Sequence, residues 1–567
     1  MRKKGKVEKI DYDIDRLGFM ADKYYNEGKF LSALRFAYRQ YELCGGDGDI
    51  FTRLADIYEG MGLHASAINW LYKYMDVGEE QDFPEIFESL AVNYLNMGQE
   101  NCSAYYYNRL IDVDESLPIE AKQDILDVFS KPKNAGFRFV YPPEAADYSK
   151  ELDAGSRALK AGDCKRAVEM FRQIEKGSKQ YAQAKEMQAV AHLLAGEEDE
   201  AERICLELLE TKPEDTRALA TLSAVYLEQE KKEESQKIAL KLYESKQDNS
   251  DDLYKVATVC CENGLHEQAF EKFCELEKLL PFDGRMLYFK AVAAYKCGKL
   301  EESEKAFDVL CGVYPDAEVA KYYLRALRRR EVGETLNEAD APDYLYHLPK
   351  AERESRCRSL LQIGSCPKDE AQLFGLIALH DGYFRWCFDE MDGADHDLQY
   401  LGIVTAVHVR ADDFLRDVLL DCEVVDVLKV ETLRLLYERN EDMNLGLVLS
   451  HIYRRLRLRK IKIGRKKRKR FLAGYAKIAS RFVAVHFGYS ETMKNAAENL
   501  YAALEEREKL DLIEKEDDVA CAIYLLSRFK ELGNDLVAVA KAFDANVERV
   551  AELKEIAIDR YEAVRGE

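Results

Sequence analysis

The chain lacks most of the patterns by which a sequence declares chemistry. Its nine histidines are scattered along 567 residues, and it has no His-Glu-x-x-His helix, no Gly-x-x-x-x-Gly-Lys phosphate loop and no Gly-x-Ser-x-Gly elbow. Catalysis usually needs titratable groups gathered in a cleft, so no enzyme and no catalytic residue is expected. The 14 cysteines include no Cys-x-x-Cys pair, and Cys260 and Cys261 are adjacent, which suits neither a zinc knuckle nor an ordinary bridge. Reduced, structural thiols are expected, with no metal and no cofactor. No run of about 18 apolar residues occurs, which argues against a membrane span. Met1-Arg2-Lys3-Lys4 is followed by Val7-Glu8-Lys9-Ile10-Asp11 rather than by the apolar stretch of a signal peptide, so a cytoplasmic location is expected. Cations are outnumbered by 105 acids to 83 bases, a net charge of -22 that disfavours general affinity for nucleic acid or anionic membrane.

What the chain does have is a repeat. Ala167, Ala201, Ser235, Ala269 and Ser303 recur at a spacing of 34 residues. Four residues after each comes a second slot, holding Phe171, Cys205, Ala239, Phe273 and Phe307, and three further on come Ile174, Leu208, Leu242, Leu276 and Leu310. Gly162, Gly196, Gly264 and Gly298 precede the small slot, and Pro213, Pro281 and Pro315 follow the apolar ones. This period predicts helical hairpins that bury their apolar stripes only by stacking. The small slot lets two helices approach, the glycine turns the chain between them, and the proline ends the second helix. Units starting at Tyr148, Ala182, Thr216, Ser250 and Gly284 give five repeats over 148–330. Leu54-Ala55, Tyr58, Gly62, Ala67 and Leu71 restate the pattern, as do Leu90-Ala91, Tyr94, Gly98, Ser103 and Tyr107, and more faintly Met20-Ala21, Tyr24, Gly28 and Ala33. Eight repeats are therefore expected, three over 14–112 and five over 148–330. The stretch 113–147, with Lys131-Pro132-Lys133-Asn134 and Tyr141-Pro142-Pro143, should interrupt them as a linker or hinge.

These residues resemble the tetratricopeptide repeat family. The resemblance implies an all-α superhelical solenoid whose first helices line a concave, partner-binding face. Groove positions carried over from that family fall on Arg217, Leu227, Tyr254, Arg285, Tyr288 and Tyr295. Tyrosine and arginine are common anchors in such grooves, although packing between hairpins would account for several of them equally. The lysine and asparagine clamp with which some members hold a carboxyl-terminal dicarboxylate is absent: the fifth and ninth positions read Leu152/Ser156, Glu186/Val190, Ala220/Ala224, Tyr254/Thr258 and Tyr288/Val292. An extended or helical apolar peptide is the more plausible occupant.

Beyond the repeats, 331–348 reads as a polar linker and 349–453 as a helical segment that resembles a short HEAT-like stack. Gln372 and Gly375 recur there at Gln399 and Gly402, and a further helix is expected around Val427 to Tyr437. An acidic cluster in this segment, His380, Asp381, Asp389, Glu390, Asp392, Asp395, His396 and Asp397, lacks metal-ligand spacing and reads as a solvated turn. The segment 454–470 holds twelve basic residues and no acid, leaving -22 minus 12, or -34, on the rest of the chain. Leu456, Leu458, Ile461 and Ile463 alternate within it, which predicts a short strand or hairpin. Its densest part, Arg465, Lys466, Lys467, Arg468, Lys469 and Arg470, could grip phosphates or dock on acidic protein surface. In 471–567, Asn499-Leu500-Tyr501, the run Asp518 to Arg528, Val537 to Phe543, and Val547 with Val550 resemble a cyclin-like repeat of transcription initiation factor IIB. Glu548, Glu552 and Glu555 in the segment corresponding to that family's recognition helix would repel phosphates.

The functional expectation is a non-catalytic scaffold or adaptor that holds a protein or peptide segment in its groove. The alternative is an adaptor that attaches to nucleic acid or a ribonucleoprotein through 454–470.

Overall fold

A computed structural model describes residues 14–79, 82–114, 117–130, 147–247, 249–330, 341–367, 382–389, 395–439, 441–458, 466–483, 490–507, 509–527 and 536–565. The fold is an all-α repeat solenoid with additional helices and one two-stranded sheet among the described residues. Contacts divide it into two bodies. One comprises the chain up to Lys122 with 357–387 and 395–567; the other comprises 123–356 with 388–394.

In the first body, three hairpins form from α1 (Ile14–Asn26) with α2 (Phe30–Cys44), α3 (Gly48–Gly60) with α4 (His64–Val77), and α5 (Phe83–Asn96) with α6 (Glu100–Val113). The interruption at 113–147 contains a helix, α7 (Ile119–Ser130), before its proline-bearing parts, which lie outside the described residues. In the second body, five hairpins follow: α8 (Ser149–Lys160) with α9 (Cys164–Arg172), α10 (Tyr181–Leu194) with α11 (Glu198–Thr211), α12 (Thr216–Glu228) with α13 (Lys232–Glu244), α14 (Ser250–Glu262) with α15 (His266–Glu277), and α16 (Gly284–Lys296) with α17 (Leu300–Val313). A single helix, α18 (Glu318–Arg330), covers the last pair.

The recurring slots explain why these helices pair. Ala167, Ala201, Ser235, Ala269 and Ser303 are completely buried. Where serine replaces alanine its hydroxyl donates across the hairpin, Ser235 Oγ to Ser223 O at 2.9 Å and Ser303 Oγ to Ala291 O at 2.8 Å, so burial leaves no donor unpaired. Phe273, Phe307, Leu276 and Leu310 are likewise fully buried. Cys205 and Cys260 fill core positions, and burial pushes both thiols up to about 12. Asp215, Asn249 and Asp283 cap α12, α14 and α16 by accepting backbone N–H groups at 2.7–3.1 Å.

The turn between paired helices needs a left-handed residue, and in seven hairpins glycine supplies it at φ between 69° and 76°. The α12–α13 turn carries Glu230 there instead, at φ 59°. A side chain in that conformation costs about 1–2 kcal/mol, so Glu230→Gly is expected to stabilise the second arm by about 0.5–1 kcal/mol once glycine's greater unfolded-state freedom is offset. A urea titration of both proteins checks this; an unchanged or lowered midpoint would contradict it.

The remainder of the first body differs from expectation in one respect. The helix expected around Val427 to Tyr437 spans Asp426–Glu438 and follows His396–Val409 and Asp412–Leu420, but the hairpin begins earlier than the basic segment. Strand β1 (Met443–Leu449) pairs antiparallel with β2 (Ile452–Leu458), Leu445 opposite Leu456 and Leu447 opposite Arg454. Its buried run, Leu445, Leu447, Val448 and Leu449, falls in what reads by sequence as helical stack, while Lys466–Val483 is a helix rather than a continuation of the strand. Ile461 and Ile463 lie outside the described residues. The last helices, 466–483, 490–506, 516–527, 536–542 and 547–565, enclose a core of Phe471, Ile478, Leu500, Leu504, Ile523 and Leu553.

Candidate functional site: the first-helix face of the second arm

Three of the six groove residues converge. Arg217 at the start of α12, Tyr254 in α14 and Arg285 at the start of α16 line one open cavity of about 540 Å³, together with Ser250, Asp251, Lys255, Thr258, Leu280 and Asp283. The caps that Asp215, Asn249 and Asp283 provide fix where each first helix begins, and so place the residues that follow at the cavity. The Tyr254 ring forms part of the lining: it stacks on Phe289 at 6.3 Å and meets Phe273 edge-on at 6.3 Å, so its orientation is set by the core beneath. Arg217 is exposed and reaches Glu186 at 3.7 Å. Three cations, Arg217, Lys255 and Arg285, face two carboxylates, Asp251 and Asp283. Asp283 also accepts the Met286 N–H at 2.7 Å.

Leu227 and Tyr295 are half-buried and do not line this cavity. Tyr288, one repeat beyond Tyr254 and at the equivalent position, is fully buried, and what buries it belongs to the chain itself. Residues 341–349, of which 341–348 were expected to be linker, run as an irregular, bent segment against α14–α18. The Tyr288 hydroxyl lies 2.9 Å from Asp343 O and 3.0 Å from Leu345 O, sharing its one proton between two carbonyls. The Tyr323 hydroxyl donates to His347 O at 2.9 Å. Alternate carbonyls are thus held by tyrosines of the solenoid. Between them, Tyr344 Oη lies 3.0 Å from His266 Nδ1, with Lys296 over its ring at 5.4 Å and paired with Asp343 at 3.2 Å. Tyr346 meets Tyr288 edge-on at 4.8 Å and donates to Asp389 Oδ1 at 2.8 Å. Pro342, Asp343 and Pro349 carry the local signals of a loop. The apolar Tyr344, Tyr346 and Leu348 between them are the signal that could have identified a bound segment.

Asp389, from the acidic cluster, is therefore a structural acceptor. It takes the Val319 N–H at 2.7 Å as well as the Tyr346 hydroxyl, and burial raises its pKa to about 7. Asp395 caps its helix through Leu398 N at 3.0 Å. His380, Asp381, Glu390 and Asp392 lie outside the described residues, among which no group of acidic, histidine and cysteine side chains could hold a metal. Of the basic cluster, Arg465 lies outside the described residues, Lys466, Lys467 and Arg468 begin a helix, Lys469 is exposed, and Arg470 Nη1 lies 3.5 Å from Ile513 O. No described helix is long and apolar enough to cross a membrane.

The first two of the five strict repeats fall on residues that a known family describes. Residues 152–216 match the tetratricopeptide repeat. No curated protein matches the chain. Among solved structures it is similar to MamA of AMB-1, at 18% identity over 29% of this chain and 98% of that one, with a TM-score of 0.22. It is similar to the TPR2AB-domain:pHSP90 complex of yeast Sti1, at 14% identity over 47% and 96% with a TM-score of 0.20. It is also similar to a tetratricopeptide repeat protein from Parabacteroides merdae, at 14% identity over 49% and 98% with a TM-score of 0.24. These likenesses concern the stacked helical hairpin, and nothing about this chain's partner rests on them.

Proposed function

We propose that the protein is a non-catalytic protein–protein interaction scaffold that holds an extended partner segment against the first helices of its second arm. The observation that carries this reading is the convergence of Arg217, Tyr254 and Arg285 on one open cavity. An aromatic ring held by its own core and two forked cations bring contact area and directional hydrogen bonds at small entropic cost, the usual makings of an interface hot spot. The chain's own 341–349 segment supports it, because tyrosines of α16 and α18 hold its backbone through alternate carbonyls. A partner would lie beside that segment at α12–α16, with an acidic or carbonyl-rich stretch facing Arg217 and Arg285.

The test is capture of partners from native cytosol by the intact protein and by an Arg217→Ala, Arg285→Ala variant, with and without nuclease. Both arginines are exposed, so the variant should fold normally. A protein partner that survives nuclease and is lost, or bound about tenfold or more weakly, by the variant is the expected result. A partner bound equally by both proteins would remove the cavity from the account, and recovery that vanishes with nuclease would favour the nucleic-acid alternative.

A further inference from the structure

Part of the first-helix face in the second body is already occupied, and the occupant is the chain itself. Residues 342–348 lie against α16 and α18 with side chains that alternate in exposure. Pro342, Tyr346 and Leu348 are buried and Tyr344 is half-buried, while Asp343, Leu345 and His347 are exposed. Leu345 keeps 57% of its surface open between the two inward rings.

The grip on this segment has two parts. Its backbone is taken by tyrosine hydroxyls, Tyr288 at the carbonyls of Asp343 and Leu345 and Tyr323 at that of His347. These contacts read no side chain and suit any segment lying in that place. The pockets do read side chains. The Tyr344 ring meets Phe289 edge-on at 6.1 Å beneath Lys296, with its hydroxyl 3.0 Å from His266 Nδ1. The Tyr346 ring packs on Tyr288 at 4.8 Å, and its hydroxyl donates to the buried Asp389 at 2.8 Å. Main-chain hydrogen bonds joined to pockets for alternate side chains are a recurring mode of peptide recognition. The residues that make the grip stand on helices that pair with their own neighbours through the repeat's small slots. Solenoid stability is a sum over neighbouring repeats, so the face forms whether or not the segment lies on it.

We propose that 342–348 is an internal ligand, and that the face of α16 and α18 beneath it is a docking site for a partner segment of the same pattern, acid-Tyr-x-Tyr-x-Leu, which displaces it. The site is separate from the Arg217 and Arg285 cavity, and the proposal stands whether or not that cavity holds a partner. The second tyrosine of the pattern is the selective one: phenylalanine there fills the same space but takes a donor from a buried carboxylate. Attachment gives the internal copy an effective concentration on the order of millimolar. A free segment therefore binds the intact protein only in proportion to the fraction of molecules whose face is open.

The experiment is fluorescence anisotropy with a labelled peptide of residues 341–350, titrated with the full-length wild type, a Tyr344→Ala, Tyr346→Ala variant and a Tyr346→Phe variant. The double variant is expected to bind the peptide about tenfold or more tightly than the wild type, with Tyr346→Phe between them. A peptide that itself carries Tyr346→Phe should bind the double variant about tenfold more weakly than the parent peptide. Circular dichroism checks folding; should the double variant unfold, Tyr346→Phe, which keeps the packing, decides. Adding Arg217→Ala and Arg285→Ala to the strap variant should leave peptide affinity unchanged, whereas a loss there would place the peptide in the cavity and overturn the proposal. No binding to a folded variant at about 1 mM would make 342–348 a fixed part of the fold. Equal affinity for wild type and variants, or for the two peptides, would overturn the displacement and the tyrosine pattern respectively.

Discussion

Tyr288→Ala is expected to destabilise the end of the second arm by about 3–5 kcal/mol, the range for removing a large buried aromatic. The side chain is fully buried, with Phe289, Phe307, Tyr323 and Tyr346 around it at 4.8–6.4 Å, and its hydroxyl serves two carbonyls of the 341–349 segment. The loss would therefore include the cavity and the release of that segment. Tyr288→Phe keeps the packing and removes the hydroxyl, so it should cost only about 1–3 kcal/mol. Urea unfolding of the full chain, followed by far-ultraviolet circular dichroism, should show an early transition in the alanine variant. An alanine variant that unfolds with the wild type would mean that the segment does not close over Tyr288. Tyr254→Ala is the informative contrast, since Tyr254 occupies the same repeat position but lines an open cavity.

A comparable loss should follow Tyr72→Ala, at about 3–5 kcal/mol in the first body. Tyr72, Tyr94 and Tyr106 are buried with their hydroxyls joined, Tyr72 to Tyr94 at 2.6 Å and to Tyr106 at 3.1 Å. Together Tyr72 and Tyr106 donate to His451 O, at 2.7 and 2.9 Å, at the tip of the β1–β2 hairpin. That tip is unusual: Ser450 and His451 both have positive φ, 49° and 62°, in a two-residue turn that glycine or asparagine normally fills. Asp426 compensates by accepting Ser450 N at 3.0 Å and Ser450 Oγ at 3.0 Å, and the tyrosines hold the other residue. Removing Tyr72 would thus undock a turn that is strained on its own. Acidification should act in the same direction. Burial first, and then the nearby Lys429, lower the pKa of His451, so the folded state favours the neutral ring while the unfolded ring titrates near its ordinary value of about 6.5. Stability is therefore complete above about pH 6.5 and declines below it until the folded pKa is reached. His451→Gln should flatten that decline; an identical pH profile in both proteins would assign it elsewhere.

The solenoid was legible because its physics is local. A helical hairpin advertises its small slot, its turn glycine and its terminating proline within 34 residues, and even the exceptions, Glu230 and the two serines, stay in register. The groove was only partly legible. Family positions locate Arg217, Tyr254 and Arg285 on the cavity, but whether an equivalent residue is open or covered depends on what the chain does later. Tyr288 and Tyr254 are indistinguishable by position, and only the return of Tyr344 and Tyr346 separates them. The first strand of the hairpin was missed for a similar reason. Met443–Leu449 is a strand because a partner strand follows and helices bury it, and its short apolar run carries no period that a helix would not share.

The tyrosine cluster of the first hairpins also sets a timetable. Its hydroxyls find their acceptor in a residue 345 positions further along the chain than Tyr106. At synthesis rates of about 5–20 residues per second, roughly 20–70 s separate the emergence of Tyr106 from that of His451. During that interval the newborn amino-terminal repeats would present buried-type hydroxyls and the surface that β2 later covers to whatever is nearby in the cell. A ribosome-associated chaperone, or a premature contact with another nascent chain, would meet this protein at that surface first.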